Sequence, residues 1–464
     1  MRTTFQRGWL FLLALMVASP LGSVGLAQQS LKPVAHEVQA DLPSSEKGRL
    51  NDILNAYRRW LSQRGAPQLM RLTRRPPQIV LYRDQAQYAQ ATHSLASELA
   101  ANGGFYDGAK NSIFSFSAGN SLQLIFHEYA HAMMGARFSD PLFKRYRRPG
   151  WPIWLEEGLA EYFAAVEVRE GAHGIHLVRQ PSLKFGSLLS HQGQVQIPIP
   201  LSRLLSADTS AYRGSDNYYA TAHALVAVLM QDPNLMYTVM SDLQRLKSPR
   251  NIIRTLVSTV GGLDRLEQRL RAHVTEQLAI FWHAAQTYGG HEDSVWNWVR
   301  TQPDGFRLSE GIELRAKTNE PNLVVRHIPP ISNLILTTVC DVEKGNLVLK
   351  LARKSQEVQT RALSLRLDDQ FLHVHVPDVA PAGKDIKVPL PTSSRPAALA
   401  LEIVINQGGG SIRVDGHHLL GFSPSLGPVA VFALGTDRGI VRTKPIVITP
   451  DSGMLPGGPA PLVP

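Results

Sequence analysis

The sequence predicts an α+β protein in which a helix-rich unit built around a small mixed sheet is followed by a β-sandwich-like unit. Three observations carry this expectation. Leu50, Ile53, Leu54, Tyr57 and Leu61 repeat at helical spacing over residues 44–64, and Gln78–Tyr82 is a short β-prone run. Further helical patterns, including residues 263–285, complete a helical lower half. After about residue 300 the chain turns to short β-prone runs separated by turn residues, at 323–328, 334–339, 347–351, 363–367, 371–376, 386–390 and 399–405.

In chain order, Arg2 and Arg7 precede the apolar run 9–18, and Gly25-Leu26-Ala27 supplies a small-residue cleavage site. Residues 1–27 therefore read as a secretory signal peptide and the protein as periplasmic or secreted. An uncleaved anchor is the alternative, but the run is short for spanning, so no stable membrane span is expected after cleavage. Residues 28–43 read as a linker, 44–295 as the helix-rich domain, 300–449 as a β-rich accessory domain and 450–464 as a disordered tail rich in Gly and Pro. Residues 198–205 look like a connecting segment. Cys340 is the sole cysteine, which excludes an intramolecular disulfide and a thiolate metal site.

The formal charge of +10 favours acidic surfaces in general. Its densest run, Lys144-Arg145-Tyr146-Arg147-Arg148, reads as a solvated loop that borders a cleft only if the fold brings it there. No nucleic-acid module accompanies the charge, so no nucleic-acid partner is expected. No pattern specifies an oligomeric state.

His127-Glu128-Tyr129-Ala130-His131 carries the chemistry. At 3.6 residues per turn, positions i and i+4 lie one above the other, so His127 and His131 can offer imidazole nitrogens to one metal. Glu128 is offset by about 100°, beside the metal rather than on it. Leu122, Ile125, Phe126, Tyr129, Ala130, Met133 and Met134 supply an apolar helix surface that Gly135 could end. Burial alone would explain those apolar residues; it would not explain the histidine spacing. A catalytic zinc takes three protein ligands and keeps one open position. Downstream, WLEEGLAEYF at 154–163 has Leu155, Leu159, Tyr162 and Phe163 at helical spacing, with Glu157 and Glu161 stacked on one face.

HEYAH followed by WLEEGLAEYF resembles the gluzincin group of zinc metallopeptidases, nearer to the bacterial peptidase MA-like families than to the aminopeptidases. The resemblance covers roughly residues 75–290 and implies a thermolysin-like catalytic domain. It implies one Zn2+ per chain held by His127, His131 and Glu157, with Glu128 as general base. Glu156 is the competing ligand, but a one-residue shift turns its carboxylate by about 100°. Glu161 fits the carboxylate that accepts the second ring N–H of a zinc histidine, an ordinary helix-surface glutamate being the alternative. The run from Asp216 resembles the helix of aminopeptidase-type gluzincins that begins with a tyrosine and meets a leucine ten residues on. Tyr219 and Leu229 have that spacing, which makes Tyr219 the candidate oxyanion donor and leaves Tyr218 and His223 as alternatives.

Two departures are informative. The separation of His131 from Glu157 exceeds that of the aminopeptidases, and their G-x-M-E-N strand is absent. Gly103-Gly104-Phe105-Tyr106-Asp107 stands in the corresponding region and leads into Ile113-Phe114-Ser115-Phe116, an expected edge strand able to pair with an extended substrate. The expectation is a secreted zinc peptidase, more an endopeptidase than an exopeptidase, acting on a peptide or protein substrate; the alternative is a catalytically inactive peptidase-like binding or scaffold protein of the cell envelope. His373 with His375, and His417 with His418, show no completed metal pattern.

Overall fold

The computed structural model describes residues 33–450 apart from 41, 64–74, 93–102, 117–121, 139–151, 173, 191–193, 213–214, 245–247, 282–285, 290–297, 301–305, 309, 317–321, 345, 354–357, 359–360, 369, 378–384, 391–397, 407–408, 423–427 and 437–438. The segment expected to be a signal peptide, the basic run at 144–148 and the expected tail at 450–464, except Pro450, lie outside the described residues.

The helix-rich region opens with strand β1 (Val38–Ala40), helix α1 (Ser44–Gln63), strand β2 (Gln78–Tyr82), helix α2 (Gln85–Thr92) and strands β3 (Gly104–Asp107) and β4 (Ser112–Phe116). These strands form one sheet in the order β1-β2-β4-β3, with β1, β2 and β4 parallel and β3 antiparallel to β4. The expected edge strand at 113–116 is thus an inner strand, and the edge is β3. Helices α3 (Leu122–Phe138) and α4 (Ile153–Ala164) follow, then the hairpin β5 (Val166–Gly171) and β6 (Gly174–Arg179) and a 3-10 turn at Leu183–Leu188. Short helices α5 (Leu201–Leu205) and α6 (Thr209–Tyr212) precede α7 (Asp216–Gln231), α8 (Pro233–Gln244), α9 (Pro249–Val260) and α10 (Leu263–Phe281).

One core unites these helices because their apolar stripes face inward. Leu50, Ile53, Leu54 and Tyr57 of α1 pack with Phe126 of α3, Phe163 of α4 and Leu225 of α7, all fully buried. Tyr57 also ties the two motif helices together, its hydroxyl lying 3.3 Å from the Phe126 carbonyl and 3.2 Å from the Phe163 carbonyl. Gly135 does not end α3, which continues to Phe138.

The second region comprises β7 (Gln286–Tyr288), β8 (Trp298–Arg300), β9 (Phe306–Leu308), β10 (Ile312–Ala316), β11 (Asn322–Ile331), β12 (Leu334–Lys344), β13 (Leu347–Ala352) and β14 (Leu363–Leu367). It continues with β15 (Phe371–His375), β16 (Ile386–Pro389), β17 (Leu399–Asn406), β18 (Gly409–Val414), β19 (His417–Phe422), β20 (Val429–Thr436), β21 (Gly439–Thr443) and β22 (Ile446–Pro450). Seven strands run β16-β15-β14-β13-β20-β11-β8; nine form the other sheet, β19-β18-β17-β12-β21-β10-β9 with β22 and β7 attached through β12. Leu336, Ile403 and Ile412 of the larger sheet and Leu349, Leu365 and Phe432 of the smaller share one core between the layers. The two regions meet where buried Arg326 on β11 pairs with buried Glu167 on β5 at 2.9 Å.

The thermolysin-like α+β expectation is corrected here. The two largest described sheets, of nine and seven strands, belong to the β region, against sheets of four and two strands among the helices, so the sheet framework is mainly a two-layer β-stack. The sequence pattern under-counted it for a physical reason: β20 is buried at every position, so it lacks the alternation that marks a half-buried strand.

Candidate metal centre

The first motif forms a helix because Leu122, Ile125, Phe126, Tyr129, Met133 and Met134 present one continuous buried stripe. The second does so through Trp154, Leu155, Leu159 and Phe163. Gly158 then lets α4 and α7 touch: a Cβ there would lie 2.6 Å from the Ala222 carbonyl oxygen and 2.6 Å from Val226 Cγ2. That close approach brings the residue before it, Glu157, and the start of α7 into one site.

The ligand-type atoms of His127, His131 and Glu157 all lie within 4.8 Å of one another, the one such group of three among the described residues. Glu157 Oε2 is 3.2 Å from His127 Nε2 and 3.3 Å from His131 Nε2, and the two Nε2 atoms are 3.0 Å apart. Lone pairs this close repel unless a proton or a cation sits among them. Two imidazoles and a carboxylate are also a donor set that zinc accepts with a position left open, so the residues fit the ion the motif implies.

The surrounding groups hold these side chains in place. His127 Nδ1 faces Glu161 Oε1 at 3.1 Å, an electrostatic contact rather than an aligned hydrogen bond. Glu161 in turn pairs with Lys184 and accepts from Ser182 Oγ at 3.2 Å. Lys184 and Ser182 lie on the 3-10 turn and its cap and were not singled out in the sequence, where no motif marks them. Glu156 is 44% exposed against 15% for Glu157, with Oε1 3.7 Å from His131 Nδ1, so it sits outside the cluster as an ion-pair partner.

Charge coupling follows. Burial opposes ionisation of Glu157, but His131 and His127 outweigh it and hold the carboxyl well below the usual range. Burial likewise opposes Glu161, and Lys184 with His127 outweighs it. Burial pulls the histidines down, yet Glu157 with Glu161 raises His127, and Glu157 with Glu156 raises His131. Burial raises Glu128, partly offset by His127, His131 and a hydrogen bond from the Tyr106 backbone. A divalent cation entering this cluster must displace protons, so its affinity falls with pH. The Tyr106 bond also places the edge strand β3 beside Glu128.

Tyr219 is the tyrosine at the site. Its ring centroid is 6.0 Å from that of His127, Lys184 Nζ lies 3.9 Å above its ring, and burial followed by Glu157 raises its phenol. Tyr218 packs against Tyr212 at 5.3 Å and is 5% exposed. His223 is directed toward Phe185 and Tyr162, at 5.1 and 6.2 Å. Tyr212 has a buried hydroxyl without a hydrogen-bond partner, and burial with Glu157 raises it as well; no sequence signal marked it. His373 pairs with Asp368 at 2.9 Å and His375 with Asp385 at 3.6 Å, acidic partners overlooked in sequence, but neither pair forms a group of three ligands among the described residues.

No family model matches the chain, and no curated protein is similar to it. Similar solved structures include a sialidase at 14% identity and TM-score 0.27, covering 34% of this chain and 17% of that one. The chain therefore spans well under two thirds of the sialidase's length. An apo Crh5 transglycosylase matches at 12% identity and TM-score 0.30 over 36% of this chain and 84% of that one. A carbohydrate-binding module, CBM66 from Bacillus subtilis, matches at 12% identity and TM-score 0.26 over 33% and 95%. These are carbohydrate-binding or carbohydrate-active proteins, not peptidases, and no family model supports the motif-based assignment. The gluzincin and peptidase MA-like resemblance is therefore withdrawn as a statement of family, and with it the secreted zinc peptidase and its inactive scaffold counterpart. Scores this low assign the chain neither a family nor a substrate. None of the described helices is long and apolar enough to cross a membrane.

Proposed function

We propose that this chain is a zinc-dependent hydrolase, the class of bond it cleaves being the first thing to test. The observation that carries the reading is the convergence of His127, His131 and Glu157 with Glu128 beside them. Zinc bound by such a set supplies a Lewis acid and lowers the pKa of water.

The chain's own groups supply the rest. Glu128 takes a proton from the attacking water and delivers it to the leaving group; burial raises its pKa toward the value such a shuttle needs. Glu161, kept ionised by Lys184, orients the His127 ring through Nδ1 and so holds Nε2 toward the cluster. The Tyr219 ring, 6.0 Å from that of His127, supports its phenol O–H as the donor to a developing oxyanion. The sheet edge β3 lies next to Glu128 and could border a bound substrate. The N-terminal signal-like segment supports export.

The test is to incubate purified protein with a peptide library, acetylated saccharides and β-glucans, with and without a zinc chelator. Chelator-sensitive cleavage within one of these classes is expected. Cleavage indifferent to chelator, or none in any class, contradicts the proposal.

A further inference from the structure

A cavity of about 270 Å3 is lined by residues of α4, β6, α7 and α10, among them Tyr162, Arg179, His223, Gln231 and His273, and none of His127, His131 and Glu157 lines it. Two buried groups there lack the partners their chemistry calls for, and an exposed arginine stands beside them. Arg179 stacks on Tyr162, with its guanidinium carbon 3.8 Å from the ring centroid, and donates to the Tyr162 hydroxyl; no carboxylate pairs with it among the described residues. His223 is 3% exposed and His273 5%, yet His223 Nδ1 and His273 Nε2 are buried with no hydrogen-bond partner. A buried polar atom left unpaired is costly, so two on one cavity wall point to something that fills them.

The donor and acceptor pattern narrows the choice. Burial lowers His223 to about 3 and His273 to about 4, so both rings are neutral at neutral pH, each with one N–H and one lone pair. His273 Nδ1 faces Gln231 Oε1 at 2.8 Å. The ring proton is therefore on Nδ1, and Nε2 offers a lone pair that requires a donor. Arg179, exposed beside them, can pair with an anion, best a planar carboxylate that takes two of its N–H groups. Phe185, packed edge-on against His223 at 5.1 Å, and Ile280, 56% exposed, supply apolar wall.

We infer that this cavity binds a small carboxylic acid that carries a hydrogen-bond donor beside the carboxylate and an apolar side chain, the chemistry shared by α-hydroxy acids and α-amino acids. The carboxylate pairs with Arg179, the donor reaches His273 Nε2, and the side chain lies against Phe185 and Ile280. The inference does not depend on hydrolysis at the metal cluster.

Calorimetric titration of the zinc-loaded protein with 2-hydroxy-4-methylpentanoate and, separately, with leucine tests it and shows which donor is taken. Binding of either at one site is expected, with Arg179→Gln weakening it at least about tenfold and Arg179→Lys less. 4-Methylpentanoate, which lacks the donor, and leucinamide, which lacks the carboxylate, should both bind more weakly. Because a carboxylate could also ligate zinc, His131→Ala is the control. Affinity kept in His131→Ala and lost in Arg179→Gln supports the cavity; the reverse pattern, equal binding of leucinamide, or no binding of either probe at millimolar concentration overturns it.

Discussion

Gly158→Ala and Gly48→Ala are the same change in two helix interiors, and the structure assigns them opposite signs. At Gly48 in α1 an added Cβ meets nothing within 4 Å, so the lower conformational entropy of alanine in the unfolded chain stabilises the protein by about 0.5–1 kcal/mol. At Gly158 the same carbon lands 2.6 Å from the Ala222 carbonyl oxygen, 2.6 Å from Val226 Cγ2 and 2.9 Å from the Ala222 carbonyl carbon. Ordinary contact begins at 3.4 Å, so α7 must withdraw by about 0.8 Å, the difference between 3.4 and 2.6. Two of the three obstacles are backbone, which no rotamer change relieves. Overpacking of this kind costs about 1–3 kcal/mol, more than the helix-propensity gain, so Gly158→Ala is expected to destabilise by roughly 1–2 kcal/mol. Urea denaturation of both variants against the parent measures the difference. If Gly158→Ala proves as stable as Gly48→Ala, the α4 and α7 packing described here is wrong, and so is its account of how Glu157 and Tyr219 are brought together.

Glu128→Gln keeps the side chain's size but cannot take a proton; zinc content and melting temperature should hold while turnover falls by about 10² to 10⁴, and unchanged cleavage would remove Glu128 as the base. Tyr219→Phe should lower kcat by about 10 to 10³ with KM and zinc little altered, whereas Tyr218→Phe, buried against Tyr212, should leave kcat unchanged; a loss confined to Tyr218→Phe contradicts the assignment. Stability should also fall with acid. Burial lowers His36, His273 and His327 to about 4 and His223 to about 3, below the unfolded value near 6.5, so the unfolded chain takes up protons first. Their contribution is fully present above about pH 6.5 and is lost as pH falls toward 4, by about 2 kcal/mol per histidine at pH 5, opposed by the raised His127 and His131, which gain stability as pH falls; a His273→Gln variant that loses as much stability as the parent between pH 7 and pH 5 in urea curves would refute it.

The metal cluster was legible in the sequence because helical periodicity turns spacing into geometry. His127 and His131, and Glu157 and Glu161, each share a helix face at i and i+4, and the structure brings the first three into one group with Glu161 behind His127. Local amphipathicity also marked α1, expected at 44–64 and found at Ser44–Gln63, and β2, found at Gln78–Tyr82 as expected. What stayed hidden depends on contacts distant in sequence. Lys184 and Ser182 reach Glu161 from a turn with no motif, Tyr212 comes from a four-residue helix, and Gly158 answers to Ala222 on another helix. The order of the first sheet could not be read from the strand at 113–116, since β3 takes the edge by turning back antiparallel. Strands such as β18, with glycines at its start, and β20, buried on both faces, carry too little alternation to be recognised.

The central claim is that His127, His131 and Glu157 hold one zinc, and adjacent glutamates provide its most direct test. Zinc content per chain is to be measured for the parent, Glu157→Gln and Glu156→Gln. The arrangement predicts close to one zinc in the parent and in Glu156→Gln, whose side chain is more exposed and outside the cluster, and little in Glu157→Gln. Stoichiometric zinc retained by Glu157→Gln, or lost from Glu156→Gln instead, would contradict it.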